Sequence, residues 1–173
     1  MWMATAVGAL VNSIPKEHRP GFGLVYLSGL LHNFGYLVLA HVFPPHFSLM
    51  CRYIEANPHL DSAYVEHFLL GITREQIGSK LMAVWSMPDE VIVALRHQKN
   101  SQFDGVNSDI ANLMYIARSL LSENGLWVGP AQPIPAEMYE RLQLDPEKAK
   151  QAIVELIEAK DEILKMAGML EEG

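Results

Sequence analysis

Apolar residues recur along this chain at steps of three and four, and no stretch shows sustained apolar/polar alternation flanked by hairpin turns. The pattern predicts an all-α fold, a compact multi-helix bundle. Helices are expected over about 2–14, 21–33, 35–42, 45–56, 61–70, 74–85, 88–98, 107–123 and 146–168. Several breaks between them have a mechanism. Pro15 and Pro20 bracket a polar turn, Pro44-Pro45 stops a helix, and Pro88 suits a first helical turn, where the missing N–H goes unused. Thr73-Arg74-Glu75-Gln76 reads as a capping box, so a helix starts at Arg74. Asp145-Pro146-Glu147 marks another start, with a cap acceptor, a preset φ and an early carboxylate favoured by the helix dipole.

The last helix carries Ala149, Ile153, Leu156, Ile163, Ala167 and Leu170 on one stripe, with Lys160 in the gap, while Asp161 and Lys165 can pair on another face. Such a stripe needs a surface to cover it, either its own domain or a partner, a homo-oligomer through this helix included. Before it, Gly125 to Pro135 is rich in Gly and Pro and marks the one expected boundary. The expected organisation is a helical core over 1–124, then a loop and C-terminal helical extension over 125–173, packed on the core or on a partner.

Charge changes the picture in one respect. The net charge is −7, yet residues 1–100 carry seven basic and seven acidic side chains, and residues 101–173 carry six and thirteen. An acidic surface of this kind repels nucleic-acid phosphates and anionic lipid, so neither is expected as a partner. Cys51 is the only cysteine, which rules out an intramolecular disulfide and points to a reducing, cytoplasmic setting. No basic, signal-like segment opens the sequence. Gly21 to Phe43 is long and apolar enough to span a bilayer, but glycines, His32, Asn33 and His41 interrupt it, and two buried helices broken near Gly35 are expected instead. There is no Gly-rich phosphate loop, no His-Glu-x-x-His motif and no Gly-x-Ser-x-Gly elbow. Cys51 reads as a small apolar residue and the nine methionines as core filler.

Three ordered blocks carry more information: Leu27-Ser28-Gly29-Leu30-Leu31-His32-Asn33-Phe34-Gly35-Tyr36-Leu37-Val38-Leu39, then Leu70-Gly71-Ile72-Thr73-Arg74-Glu75-Gln76-Ile77-Gly78-Ser79-Lys80-Leu81, then Trp85-Ser86-Met87-Pro88-Asp89-Glu90-Val91. Together, over about residues 2–120, they resemble the HD-related output domain family, a bacterial branch of the HD phosphohydrolase superfamily. The resemblance implies an HD-type helical bundle. In catalytic members of the superfamily, histidines and aspartates from several helices hold divalent metal, which acidifies water and neutralises phosphoryl oxygens.

At the matching positions this chain departs from that ligand set. Ala4 stands where a His is often found, the His-Asp pair reads His32-Asn33, and the Gly-x-Asp-His step reads Ile72-Thr73-Arg74. The later His-His pair reads His97-Gln98 and the downstream Ala-Asp reads Ala117-Arg118. Only His32 and His97 remain as metal-type side chains, a neutral Asn33 amide is a poor ligand for a hard ion, and Arg74 and Arg118 would oppose one. No cofactor and no divalent metal are therefore expected, and no catalytic residue is assigned.

The resemblance then implies a non-catalytic signal-transduction module whose partner is a signalling protein or domain. Two alternatives stay open: a metal-dependent phosphohydrolase with atypical ligands, and a nucleotide or phosphate sensor using a vestigial pocket of His32, Asn33, Arg74, His97, Gln98 and Arg118. A plainer arrangement has His32 and Asn33 hydrogen-bonded inside, with Arg74 and Arg118 in solvent or paired with Glu75 or Glu123. Arg96 to Gly105 faintly echoes the His-His-Glu and Asp-Gly stretch of the HD-GYP cyclic di-GMP phosphodiesterases, but no Gly-Tyr-Pro follows, and a polar loop explains it equally well.

Overall fold

The computed structural model describes residues 2–127 and 131–171, with side chains described as far as residue 162. Among the described residues the chain is all-α, as its spacing predicts. The helices are α1 (Trp2–Asn12), α2 (Phe22–Leu31), α3 (Phe34–Val42), α4 (Pro44–Ala56), α5 (Ser62–Leu70), α6 (Arg74–Val84), α7 (Asp89–His97), α8 (Ser108–Glu123), α9 (Ala136–Arg141) and α10 (Pro146–Glu171). A 3-10 turn at Lys16–His18 fills the space between Pro15 and Pro20.

The expected stops and starts take recognisable form. Pro44 both follows the end of α3 and occupies the start of α4. Pro88 sits one residue ahead of α7, whose first turn begins with Asp89 and Glu90. In the capping box, Gln76 N donates to Thr73 Oγ1 at 3.3 Å and Thr73 N donates to Gln76 Oε1 at 3.1 Å. Asp145 Oδ1 accepts from Glu147 N at 2.9 Å and Lys148 N at 3.1 Å, so α10 starts where its sequence signal stands. The short helix α9 is an addition to the pattern, being too brief to display a period.

α8 is buried on every side and forms the axis of the main core, which gathers Leu10 of α1, Leu113 and Leu120 of α8, Met138 of α9 and Ile153 of α10. The C-terminal stripe thus begins inside this core: Ala149 and Ile153 are buried, Leu156 packs on them, and Lys160 Nζ lies 3.6 Å from the centre of the Trp2 ring. Ile163, Lys165, Ala167 and Leu170 lie outside the described side chains, and Val128, Gly129 and Pro130 of the expected boundary loop lie outside the described residues. Two smaller clusters, around Met50 and around Leu95, pack the α3–α5 and α6–α7 regions.

Two close helix approaches depend on glycine. A Cβ on Gly29 of α2 would stand 2.6 Å from the Ala4 Cα of α1, and one on Gly35 of α3 would stand 2.8 Å from the Arg74 carbonyl carbon of α6. Phe22–Val42, taken as one run, is long and apolar enough to cross a membrane, with a mean hydropathy of 1.4. In the fold it divides at the His32–Asn33 turn, which ends two residues before Gly35; α2 packs on α1 and α7, and α3 on α6 and α4.

Candidate functional site

The α3–α6 approach sets the geometry of the region where the sequence places its candidate residues. Gly71, with φ of 69°, ends α5 in the left-handed conformation that glycine adopts without strain, and only Ile72 and Thr73 separate it from α6. This tight link brings the first residue of α6 within reach of Glu66 on α5. Arg74 N donates to Glu66 Oε2 at 2.9 Å, and Arg74 Nε and Nη2 both reach Glu66 Oε1 at 2.6 Å. The guanidinium also lies 3.9 Å over the Tyr36 ring of α3. Glu66 is fully buried and Arg74 is 14% exposed, so this pair is an interior one.

A second pair adjoins it. Glu75 Oε1 stands 3.7 Å from Arg74 Nε and 2.8 Å from Lys99 Nζ, and Lys99 donates on to Ser62 Oγ at 3.1 Å. Burial works against the charge of Glu75, but Lys99 and Arg74 more than offset it and hold its carboxyl below the ordinary 4.5. For Glu66 burial prevails over Arg74 and Lys99, and the carboxyl sits above that value. Sequence reasoning named Glu75 only as a partner for an exposed arginine and missed Glu66 and Lys99. The available signal was Glu66 itself, the lone carboxylate of α5, set beside His67 among Val65, Phe68, Leu69 and Leu70.

His32 ends α2. Its Nδ1–H donates to the Gly29 carbonyl at 2.7 Å and its ring tilts against Trp127 at 5.4 Å. Burial lowers its pKa below 6.5, the Gly29 bond opposes that, and the positive field of Arg74 reinforces it, which favours a neutral imidazole. Gln98, buried at the end of α7, donates through Nε2 to the carbonyls of His32 and Leu95, both at 3.1 Å. His32 and Gln98 are therefore in contact, and the field of Arg74 reaches His32.

Asn33 and His97 stand apart, whereas Arg118 shares the electrostatic surroundings of Arg74 and Glu75. Asn33 is exposed and makes no side-chain capping bond to α3. His97 stacks flat on Phe103, 3.8 Å between ring centres, in a loop pinned by Arg141 Nη1 donating to the Phe103 carbonyl at 3.2 Å. The Asp104-Gly105 echo belongs to that loop, where Gly105 lies close against the Phe103 ring. Arg118 lies 5.4 Å over the Tyr115 ring, and among the described residues no carboxylate comes within 4.0 Å of it. Burial depresses its pKa, with Tyr115, Asp61 and Glu75 opposing and Arg74 adding to the effect. Arg118 is only partly buried along α8, and Glu123 does not pair with it within 4.0 Å. Ala4, where a ligand histidine is often found, is fully buried at the α1–α2 approach.

This donor set does not suit a divalent metal. The His32 ring meets the Gly29 carbonyl and Trp127, the Gln98 amide meets its backbone carbonyl, and Glu66 and Glu75 are each paired with a cation. Among the described residues no three His, Cys, Asp or Glu side chains converge as ligands would. A hollow of about 530 Å³ beside α9, lined in part by Ile134, Tyr139, Gln143 and Pro146, includes none of the six candidates. Cys51 is half-buried, and burial raises its thiol pKa, with Glu55 adding to the effect.

Comparison with known proteins places these features. The model of the HDOD domain family matches residues 1–101, from α1 to just past α7, somewhat less than the 2–120 of the sequence resemblance. The chain is 50% identical to a protein of solved structure named as a signal transduction protein, from Marinobacter aquaeolei VT8, with a TM-score of 0.88 over 98% of this chain and 38% of that one. An HDOD domain protein of unknown function from Geobacter sulfurreducens aligns over 94% of this chain and 58% of its own, with a TM-score of 0.73 and 16% identity. A protein named as a phosphohydrolase, from Shewanella amazonensis SB2B, aligns over 90% and 58%, with a TM-score of 0.68 and 16% identity. The last two likenesses concern the fold alone. The chain thus spans well under two thirds of each of these relatives, and no curated protein matches it.

Proposed function

The chain belongs to the HDOD domain family, and on that premise we propose that it is a signal-transduction module which acts in the cytoplasm through contact with a signalling protein or domain, without hydrolysing a phosphate ester. The observation that carries this reading is the Arg74–Glu66 pair. The resemblance aligns Arg74 with a metal-binding histidine of catalytic members, and the counter-charge of this guanidinium is a fully buried carboxylate that reaches both its side chain and its backbone N–H. A dication brought beside His32 would meet that cation and the Gln98 amide rather than the carboxylates it needs. The signalling part draws on the name of the Marinobacter relative, half of whose aligned residues are the same.

Hydrolysis assays test the chemical half. Purified protein with added manganese is expected to leave phosphomonoesters and cyclic dinucleotides intact. Turnover that disappears in His32→Ala would overturn the reading in favour of a metal-dependent hydrolase with atypical ligands.

Phosphate or nucleotide sensing has one observation in its favour, the partly buried Arg118 with no carboxylate within 4.0 Å among the described residues. Calorimetric titration with inorganic phosphate and with cyclic dinucleotides tests it. Binding lost in Arg118→Ala would support sensing, and equal heats from both proteins would remove it.

A further inference from the structure

The hollow of about 530 Å³ at the turn from α9 into α10 is open to solvent and lies among groups that no other part of the fold uses. Its apolar lining comes from Ile134, Leu144, Pro146 and the Tyr139 ring, and its acceptors are Glu140, Asp145 and the Tyr139 hydroxyl. Tyr139 is only 8% exposed, yet its hydroxyl makes no hydrogen bond among the described residues. A phenol buried to that degree ordinarily has a partner. Glu140 has neither an ion pair nor a side-chain hydrogen bond among the described residues, and Asp145 uses only Oδ1 to cap α10. The cations adjacent in sequence are engaged elsewhere: Arg141 donates to the Phe103 and Glu137 carbonyls, Lys150 pairs with Glu147, and Lys148 lines a separate hollow with Asn12 and Ser13. Burial pushes the pKa of Tyr139 up to about 12, with Glu123 and Glu147 adding to the effect, so the phenol keeps its proton in a negative field.

We propose that this hollow receives an arginine side chain presented by the partner protein. The aliphatic stem has Ile134, Leu144 and Pro146 to cover it, and the guanidinium has two carboxylates and a phenol oxygen to accept its N–H groups. Five donors on a planar, weakly hydrated fork suit those acceptors better than the compact ammonium of lysine. Charge decides the class of occupant. Residues 101–173 carry six basic and thirteen acidic side chains, so a basic segment finds its counter-charge here and an acidic one meets repulsion. An open hollow covers only part of what enters it, which suits a side chain whose neighbours supply the rest of the contact and not a free small molecule. The hollow lies beyond residues 1–101, the stretch matched by the family model, so it belongs to the C-terminal part of this chain. This names the chemistry of the partner in the contact reading and rests on that reading. Peptide binding and turnover are separate measurements, so either can fail alone.

Titration of the full chain with the peptide acetyl-Leu-Arg-Leu-amide, followed by backbone amide NMR shifts, tests the proposal. Saturation near about 1 mM is expected, with the shifts concentrated between residues 134 and 146. Citrulline in place of the arginine keeps the shape and removes the charge, and should bind about tenfold more weakly. Glu140→Gln and Asp145→Asn should each weaken the arginine peptide about threefold, and the double variant about tenfold. Asparagine still caps α10, so the helical circular dichroism should not change. Glu17→Gln with Glu90→Gln, the same loss of charge away from the hollow, should leave binding as it was. No saturable shift up to about 10 mM would overturn the proposal. So would shifts centred outside 134–146, equal binding of the citrulline peptide, or equal weakening by the distant double variant, which would reduce the effect to bulk attraction. Free arginine binding as tightly as the peptide would assign the hollow to a small molecule, and a dimer dissolved by the Glu140→Gln, Asp145→Asn variant would assign it to a second copy; either overturns the proposal.

Discussion

Removal of the Glu66 carboxylate leaves the Arg74 guanidinium, 14% exposed, with only Glu75 at 3.7 Å, a carboxylate already drawn to Lys99. An uncompensated interior charge of this kind is expensive, so Glu66→Ala is expected to lower the free energy of unfolding by about 3 kcal/mol in urea titration. A loss well below about 1 kcal/mol would mean that solvent reaches the pair. His32 gives a pH dependence whose sign follows from its burial. Its folded pKa lies below 6.5, so the native state binds fewer protons than the unfolded chain; the associated stability is complete above pH 6.5 and is lost as pH falls through the folded value. Glu75 acts in the same sense below 4.5, and Glu66, whose carboxyl is raised, acts in the opposite one. Denaturant midpoints measured from about pH 7.5 to about pH 5.5 should therefore fall more for the wild type than for His32→Gln. Parallel falls in the two proteins would assign the titration to other groups.

The helix approaches put a constraint on whole elements. Gly35→Ala drives a Cβ toward the Arg74 carbonyl, a backbone group that cannot swing aside, and the resulting separation of α3 from α6 is expected to destabilise the chain by about 2–3 kcal/mol. Gly23, on α2, has no atom within 4 Å of its would-be Cβ, and Gly23→Ala should stabilise by about 0.5–1 kcal/mol through the helix alone. Thermal melts of the two variants should move in opposite directions. At this scale the sequence was legible wherever an end had local chemistry: Thr73 with Gln76, Asp145 with Pro146, Pro44 after α3. α9 was not, because six residues cannot show a period and Pro135 ahead of it offers no side-chain cap. The Gly35–Arg74 approach was not legible either, since it is made by residues 39 positions apart and has no signature in either segment alone.

At the scale of the molecule, the blocks around His32, Arg74 and Trp85 carried the family, and the chain's membership rests on the same stretch. The pocket drawn from those blocks was legible only in part. His32 and Gln98 meet because they end helices that pack together, α2 and α7. Asn33 stands exposed in the turn between α2 and α3, and His97 stacks on Phe103 at the end of α7. Glu66 shows no more in the sequence than a lone carboxylate, because its burial is betrayed only by its partner; for Arg74 the sequence offers a pocket, solvent or pairing with Glu75, and not Glu66. The central claim is that this HDOD chain has exchanged metal chemistry for an interior ion pair. Calorimetric titration of the intact protein with Mn²⁺ tests it most directly. No saturable heat is expected up to about 1 mM, beyond which binding would be too weak to matter, whereas stoichiometric uptake abolished by His32→Ala would contradict the account.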